Sequence, residues 1–222
     1  MNFIHAENPD AGAHALSTRL IFALLEGKKT LWLVPGGSNI ATAVSVMSAV
    51  RKKVPVIALS NLTVSLSDER YGPVGHADSN WRQLKEAGFI FEDISVIPVL
   101  RDLSLEETVE QYGSEIMAAF ERSAVRIAQL GIGPDGHIAG ILPHSPAVFE
   151  RGPVSGYQAE KFTRVTLSTD MLGRLSAAFV FAFGDSKAQA LKSLRDRELP
   201  LEAQPAQILK QIPEAYLYSD RV

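Results

Sequence analysis

Val125-Arg126-Ile127-Ala128-Gln129-Leu130-Gly131-Ile132-Gly133-Pro134-Asp135-Gly136-His137 is the stretch that decides how this chain folds. Its first six residues, with Val125, Ile127, Ala128 and Leu130 apolar, read as a buried strand. The strand empties into a turn with three glycines in six residues, Gly131 to Gly136, where the backbone can approach a ligand closely and take positive φ. Asp135 and His137 stand side by side on that turn. An imidazole changes charge near neutral pH, which suits His137 to general acid/base work. On its own the loop is equally a tight turn with a solvent-facing histidine. Three other strand ends with ligand-type residues tilt the balance.

Outward from this stretch, strand and helix patterns alternate. Apolar positions Ala13, Leu16, Leu20 and Leu24 recur at helical spacing across residues 9–26, and Gly27 is placed to end that helix. A strand over Leu31–Val34 leads through Pro35-Gly36-Gly37-Ser38 to a small-residue helix from about Asn39 to Val50. Leu62, Val64 and Leu66 alternate as a strand that runs into Asp68-Glu69-Arg70. Ser79 caps a short helix that stops at Gly88, and a strand follows over residues 94–97. Ser104 and Glu107 form a capping box for a helix carrying Val109, Tyr112, Ile116 and Phe120. Residues 143–160, rich in Pro, Gly and Ser, read as a surface excursion. Val165 and Leu167 mark a strand, and residues 178–183 form another that ends at Gly184. Asp185 or Ser186 is placed to cap the helix through Leu194, and Ala215–Tyr218 is the last strand. This alternation predicts an α/β fold: a single-domain, Rossmann-like, mostly parallel doubly wound sheet with helices on both faces. One domain over residues 1–222 is expected, because no linker, repeat or composition shift divides the chain.

Composition sets the outer limits. The chain of 222 residues is 46% hydrophobic and 21% charged, an ordinary globular balance. A net charge of −3 leaves no footprint for nucleic acid or an anionic membrane, and no cysteine is available for disulfides, thiolate metal sites or thiol nucleophiles. No signal sequence or spanning segment is visible, so a cytoplasmic protein with no membrane or nucleic-acid partner is expected. The histidines show no metal-ligand spacing, and neither a P-loop nor a nucleophile elbow occurs. Residues 131–136 match G-x-G-x-x-G formally, but Pro143 leaves room for barely two helical turns where the dinucleotide motif needs a long helix.

Ligands of open parallel sheets bind beyond the carboxyl ends of the strands. Gly36-Gly37-Ser38 frees backbone N–H groups at a helix N-terminus, an arrangement for an anion or simply a capped turn. Lys187 falls in the first turn of a helix, where the macrodipole opposes a cation unless an anion sits there too. Arg70 offers a fork suited to phosphate or carboxylate, on a triplet that is otherwise a solvated turn.

Taken in order, Gly36-Gly37-Ser38, Asp68-Glu69-Arg70, Ser79-Asn80, Leu130 through His137, Arg164-Val165-Thr166-Leu167 and Gly184-Asp185-Ser186-Lys187-Ala188 resemble the 6-phosphogluconolactonase family. The resemblance implies hydrolysis of 6-phospho-D-glucono-1,5-lactone to 6-phosphogluconate, a step of the oxidative pentose phosphate pathway, with no cofactor and no metal. It implies His137 as the catalytic base, with Asp135 beside it in the catalytic set either to orient the imidazole or to face the sugar hydroxyls. Gly36, Gly37, Ser38, Asp68, Arg70, Asn80, Gly133, Arg164 and Lys187 would bind substrate. The expected partner is a small sugar phosphate, and the expected state a monomer or small homo-oligomer. Two departures stand out: Asn39-Ile40 where many relatives carry Thr-Pro, and Ile138-Ala139-Gly140 where Thr-Ala-Ser is common. The rival readings are a sugar-phosphate deaminase or isomerase and a non-catalytic sugar-phosphate sensor. Against the deaminase, Leu142 stands where those enzymes place a glutamate.

Overall fold

The computed structural model describes residues 1–222. Its strands are β1 (Asn2–His5), β2 (Thr30–Val34), β3 (Leu62–Leu66), β4 (Asp68–Arg70), β5 (Ser95–Ile97), β6 (Val125–Leu130), β7 (Val154–Gln158), β8 (Thr163–Leu167), β9 (Ala177–Phe181) and β10 (Glu214–Ser219). The helices are α1 (Asp10–Leu25), α2 (Ile40–Lys53), α3 (Val56–Leu59), α4 (Asn80–Glu86), α5 (Leu105–Arg122), α6 (Thr169–Gly173) and α7 (Ala188–Asp196). Local chemistry accounts for several boundaries. Gly27, at φ +70°, closes α1, and its N–H donates to the Leu24 carbonyl. The Ser79 side chain accepts the Arg82 N–H at the start of α4. The Ser104–Glu107 capping box opens α5 in both directions.

The central sheet has seven strands, all parallel, in the order β5-β3-β2-β6-β9-β10-β1. Every residue of β2 and β9 is buried, as expected when helices cover both faces. From β2 the chain winds outward through β3 to β5. It then returns to β6, beside β2, and winds the other way through β9 to β10. Right-handed crossovers place α1, α2 and α4 on one face and α5, α6 and α7 on the other. The winding reverses between β2 and β6, and there the carboxyl ends of the two strands part to leave a crevice. No helix is long and apolar enough to cross a membrane.

The antiparallel part of the molecule departs from the expectation. Asp68–Arg70 is a strand rather than a solvated turn, and β8 is not in the parallel sheet. β4, β8 and β7 form a separate three-stranded antiparallel sheet in that order. Residues 143–160 are therefore more than a surface excursion: β7 lies among them, and Ala147, Val148, Val154 and Tyr157 are buried. β1 went unforeseen as well. It is a four-residue edge strand with no apolar alternation, held to β10 by the Asn2–Tyr216 to His5–Ser219 register.

Candidate active site

A cleft of about 480 Å³ occupies the crevice. Of the expected site residues, Gly36, Gly37, Ser38, Asp68, Arg70, Asn80, His137, Arg164 and Lys187 line it; Gly133 and Asp135 stand outside the lining.

The turn after β2 builds one wall. Gly37 has φ +65°, and Gly37–Asn39 makes one 3₁₀ turn before α2 begins. Of the two readings of this turn, the capped one is not taken up: no side chain caps the 3₁₀ turn or α2, and the Ser38 hydroxyl is not consumed by the backbone. Gly36 has no room for a side chain, since a Cβ there would lie 2.0 Å from Asn80 Oδ1. The Asn80 amide is thus packed directly against the turn, and its Nδ2 donates to the Asp68 carbonyl at 2.9 Å.

Cations converge from three elements. Arg164 pairs with Asp68 at 3.4 Å. Arg70 donates from Nη1 to the Asp78 carbonyl at 2.8 Å and lies 5.2 Å over the Phe162 ring. Buried Arg70 Nε, Arg164 Nε and Asn80 Oδ1 have no protein partner, the condition that a ligand or water relieves. Lys187 ends a 3₁₀ turn, Asp185–Lys187, and neither Asp185 nor Ser186 caps α7. Burial pushes the Lys187 ammonium pKa down, partly opposed by the nearby Asp135 carboxylate. An anion beside that lysine would relieve its desolvation. The loop before it is held by Asp220, whose carboxylate accepts the Gly184 N–H at 2.9 Å.

His137 lines the same cleft from the loop after β6. Its Nδ1 donates to Asp135 Oδ1 at 2.6 Å, and its backbone N–H donates to the same oxygen at 3.1 Å. Burial, the largest influence on Asp135, raises its pKa. The His137 ring hydrogen bond, the imidazole charge and the His137 N–H outweigh it and bring the carboxyl to about 2. An ionised acceptor fixes the proton on Nδ1, leaving Nε2 as the basic nitrogen. The pair folds back over Gly133, where a Cβ would lie 2.0 Å from His137 Nδ1. That clearance gives Gly133 its place in the site, behind the imidazole.

Several contributors carried no signal that sequence reasoning could use. Glu69 is fully buried and accepts the N–H groups of Arg70 (2.7 Å), Asn80 (2.7 Å) and Trp81 (3.0 Å) and the Ser79 hydroxyl (2.9 Å). Burial pushes its carboxyl pKa up against the pull of those donors. The carboxylate ties β4 to the start of α4 and so seats Asp68, Arg70 and Asn80. Glu69→Gln turns one acceptor oxygen into a donor facing other donors. It should cost about 2–3 kcal/mol in urea unfolding; unchanged stability would show that the carboxylate does not organise this corner. On the far side, the Tyr157 hydroxyl donates to the Gly140 carbonyl at 2.6 Å, and the Thr166 hydroxyl donates to the Ala139 carbonyl. Ala139 and Gly140 both have positive φ, 49° and 72°. The antiparallel sheet thus pins the segment that follows His137.

The chain is similar to known proteins over most of its length. The human 6-phosphogluconolactonase is 28% identical over 180 residues, spanning 76% of this chain and 70% of the relative. The Bos taurus 6-phosphogluconolactonase is 30% identical over 175 residues, spanning 73% of this chain and 67% of the relative. Among solved structures, the 6-phosphogluconolactonase of Thermotoga maritima superposes with a TM-score of 0.79 at 23% identity, covering 98% of both chains. One from Shewanella baltica gives 0.82 at 19%, covering 99% of this chain and 97% of that one, so both share the fold. The family model described as glucosamine-6-phosphate isomerases/6-phosphogluconolactonase matches residues 7–217, and the chain belongs to that family.

Proposed function

We propose that this protein hydrolyses 6-phospho-D-glucono-1,5-lactone to 6-phosphogluconate. The observation that carries the reading is the meeting, in one cleft, of an anion-binding turn with nearby cations and a histidine oriented by an ionised carboxylate. The phosphate lies against the Gly36–Ser38 turn, with Lys187 and Arg70 within reach, at the N-terminus of α2. Binding energy gathered there, away from the reacting carbon, aligns C1 with a water near His137 Nε2. Nε2 takes a proton from that water as the oxygen attacks the C1 carbonyl. The ring C1–O bond then breaks, and the imidazolium returns the proton to the departing ring oxygen. Asp135 stays ionised throughout, holding the ring and stabilising its charged form, as in other carboxylate–histidine pairs. A lactone carbonyl is already activated, so one proton shuttle suffices.

The family also contains amino-sugar-phosphate isomerases, which move protons between C1 and C2 and need a further acid/base group. In this chain Leu142 holds the position of that group in the deaminase motif, and it lies outside the cleft lining. Freshly generated lactone should release acid far faster than its spontaneous hydrolysis, while glucosamine 6-phosphate should release no ammonia. Ammonia formation at a rate comparable to lactone turnover would reverse the assignment.

A further inference from the structure

Asn39 precedes the first residue of α2, where an asparagine ordinarily caps a helix for about 1 kcal/mol. It makes no side-chain bond to the helix. Its amide reaches across the crevice instead. Nδ2 donates to the carbonyl of Phe181 at 3.1 Å and lies 3.5 Å from that of Leu130, the last residues of β9 and β6. The Asn39 carbonyl in turn accepts Nε2 of buried Gln129 at 3.1 Å. One residue thus joins the three strand ends from which the Gly36–Ser38 turn, the His137 loop and the Lys187 loop depart. Gly131 leaves space for this: a Cβ there would lie 2.6 Å from Asn39 Nδ2.

We propose that Asn39 is a positioning residue that holds the anion-binding turn in register with the His137 loop, so that a substrate anchored by its phosphate presents C1 to the base. The proposal rests on the lactonase reading above. Joining two loops matters more to alignment than to affinity. The turn, Arg70 and Lys187 still hold phosphate when the tie is cut, whereas a misplacement of about 1 Å at the reacting atoms can cost about 10²-fold in rate.

Asn39→Leu keeps the approximate shape and removes both donors. It should lower kcat at least about tenfold, while KM and the Kd for inorganic phosphate stay within about threefold of the parent. Gly131→Ala, which pushes the amide from its seat, should give the same pattern. The double variant should be no slower than the slower single one, because both remove one linkage. Circular dichroism checks folding, and Asn39→Ser, too short to reach both carbonyls, replaces Asn39→Leu should that variant not fold. Unchanged kcat, phosphate affinity lost in proportion to rate, or multiplying effects in the double variant would each overturn the proposal. A parent that binds phosphate but does not turn over lactone would instead retire the lactonase reading, and this proposal with it.

Discussion

Replacing His137 by Asn should lower kcat by about 10²–10⁴-fold, the range a positioned base contributes, and leave phosphate affinity nearly unchanged. The separation follows from the geometry: the imidazole and the β2 turn leave different strands, β6 and β2, and share no hydrogen bond. The pH profile provides a second reading. Asp135 is held at about 2, so its carboxylate remains ionised above that pH and contributes nothing to a fall in rate between neutrality and pH 5. Protonation of the base is then the cause of the acid limb, since imidazolium cannot accept the water proton. The parent should lose rate on acidification, and the residual rate of His137→Asn should lack that limb. A variant with near-parental turnover would leave the histidine a structural role only.

The second large effect belongs to the phosphate. Lys187→Ala and Arg70→Ala should each weaken binding of 6-phosphogluconate by about 1.5–3 kcal/mol, roughly 10- to 100-fold. Lys187 should be the more damaging of the two to affinity alone. Arg70 also holds the Asp78 carbonyl and packs over Phe162, so its loss disturbs the loop before α4 as well as the charge. Arg164 is a poorer choice for the same experiment, because its removal strips Asp68 of its partner. Titration calorimetry with the product checks both variants. Parental affinity in the double variant would move the phosphate elsewhere.

The parallel half of the fold was legible because its determinants are local. β2 and β9 are apolar runs and β6 is largely so, each followed by a glycine-bearing turn, and α5 announces itself with a capping box and a 3.6-residue stripe. What escaped is what depends on partners. Val154–Gln158 contains Ser155 and Gly156 and follows a Pro/Gly-rich stretch; it becomes a strand because β8 supplies its hydrogen bonds. β1 is four residues long, with exposed ends, and only β10 makes it a strand. The site divides the same way. His137, Lys187 and the Gly36–Ser38 turn stand out by residue type at strand ends. Asn39 acts through residues far along the chain, and Glu69 and Tyr157 through the loops folded next to them, contacts that their own residue types do not betray. Asp185 and Ser186 do not cap α7, because the 3₁₀ turn that precedes it shifts the helix start by a few residues.

The reversal of winding between β2 and β6 has a kinetic consequence. Thr30 pairs with Val125 across most of the first half of the chain, so the seam between the two halves closes only after a long loop has been brought together. Before that closure, the segment through β5 carries the anion turn with no base, and the segment from β6 onward carries the base with no anion turn. On the lactonase reading, neither segment carries the whole site. Activity therefore counts only molecules in which the seam has closed, and a newly made or refolding chain stays silent toward its substrate until assembly of the sheet is complete.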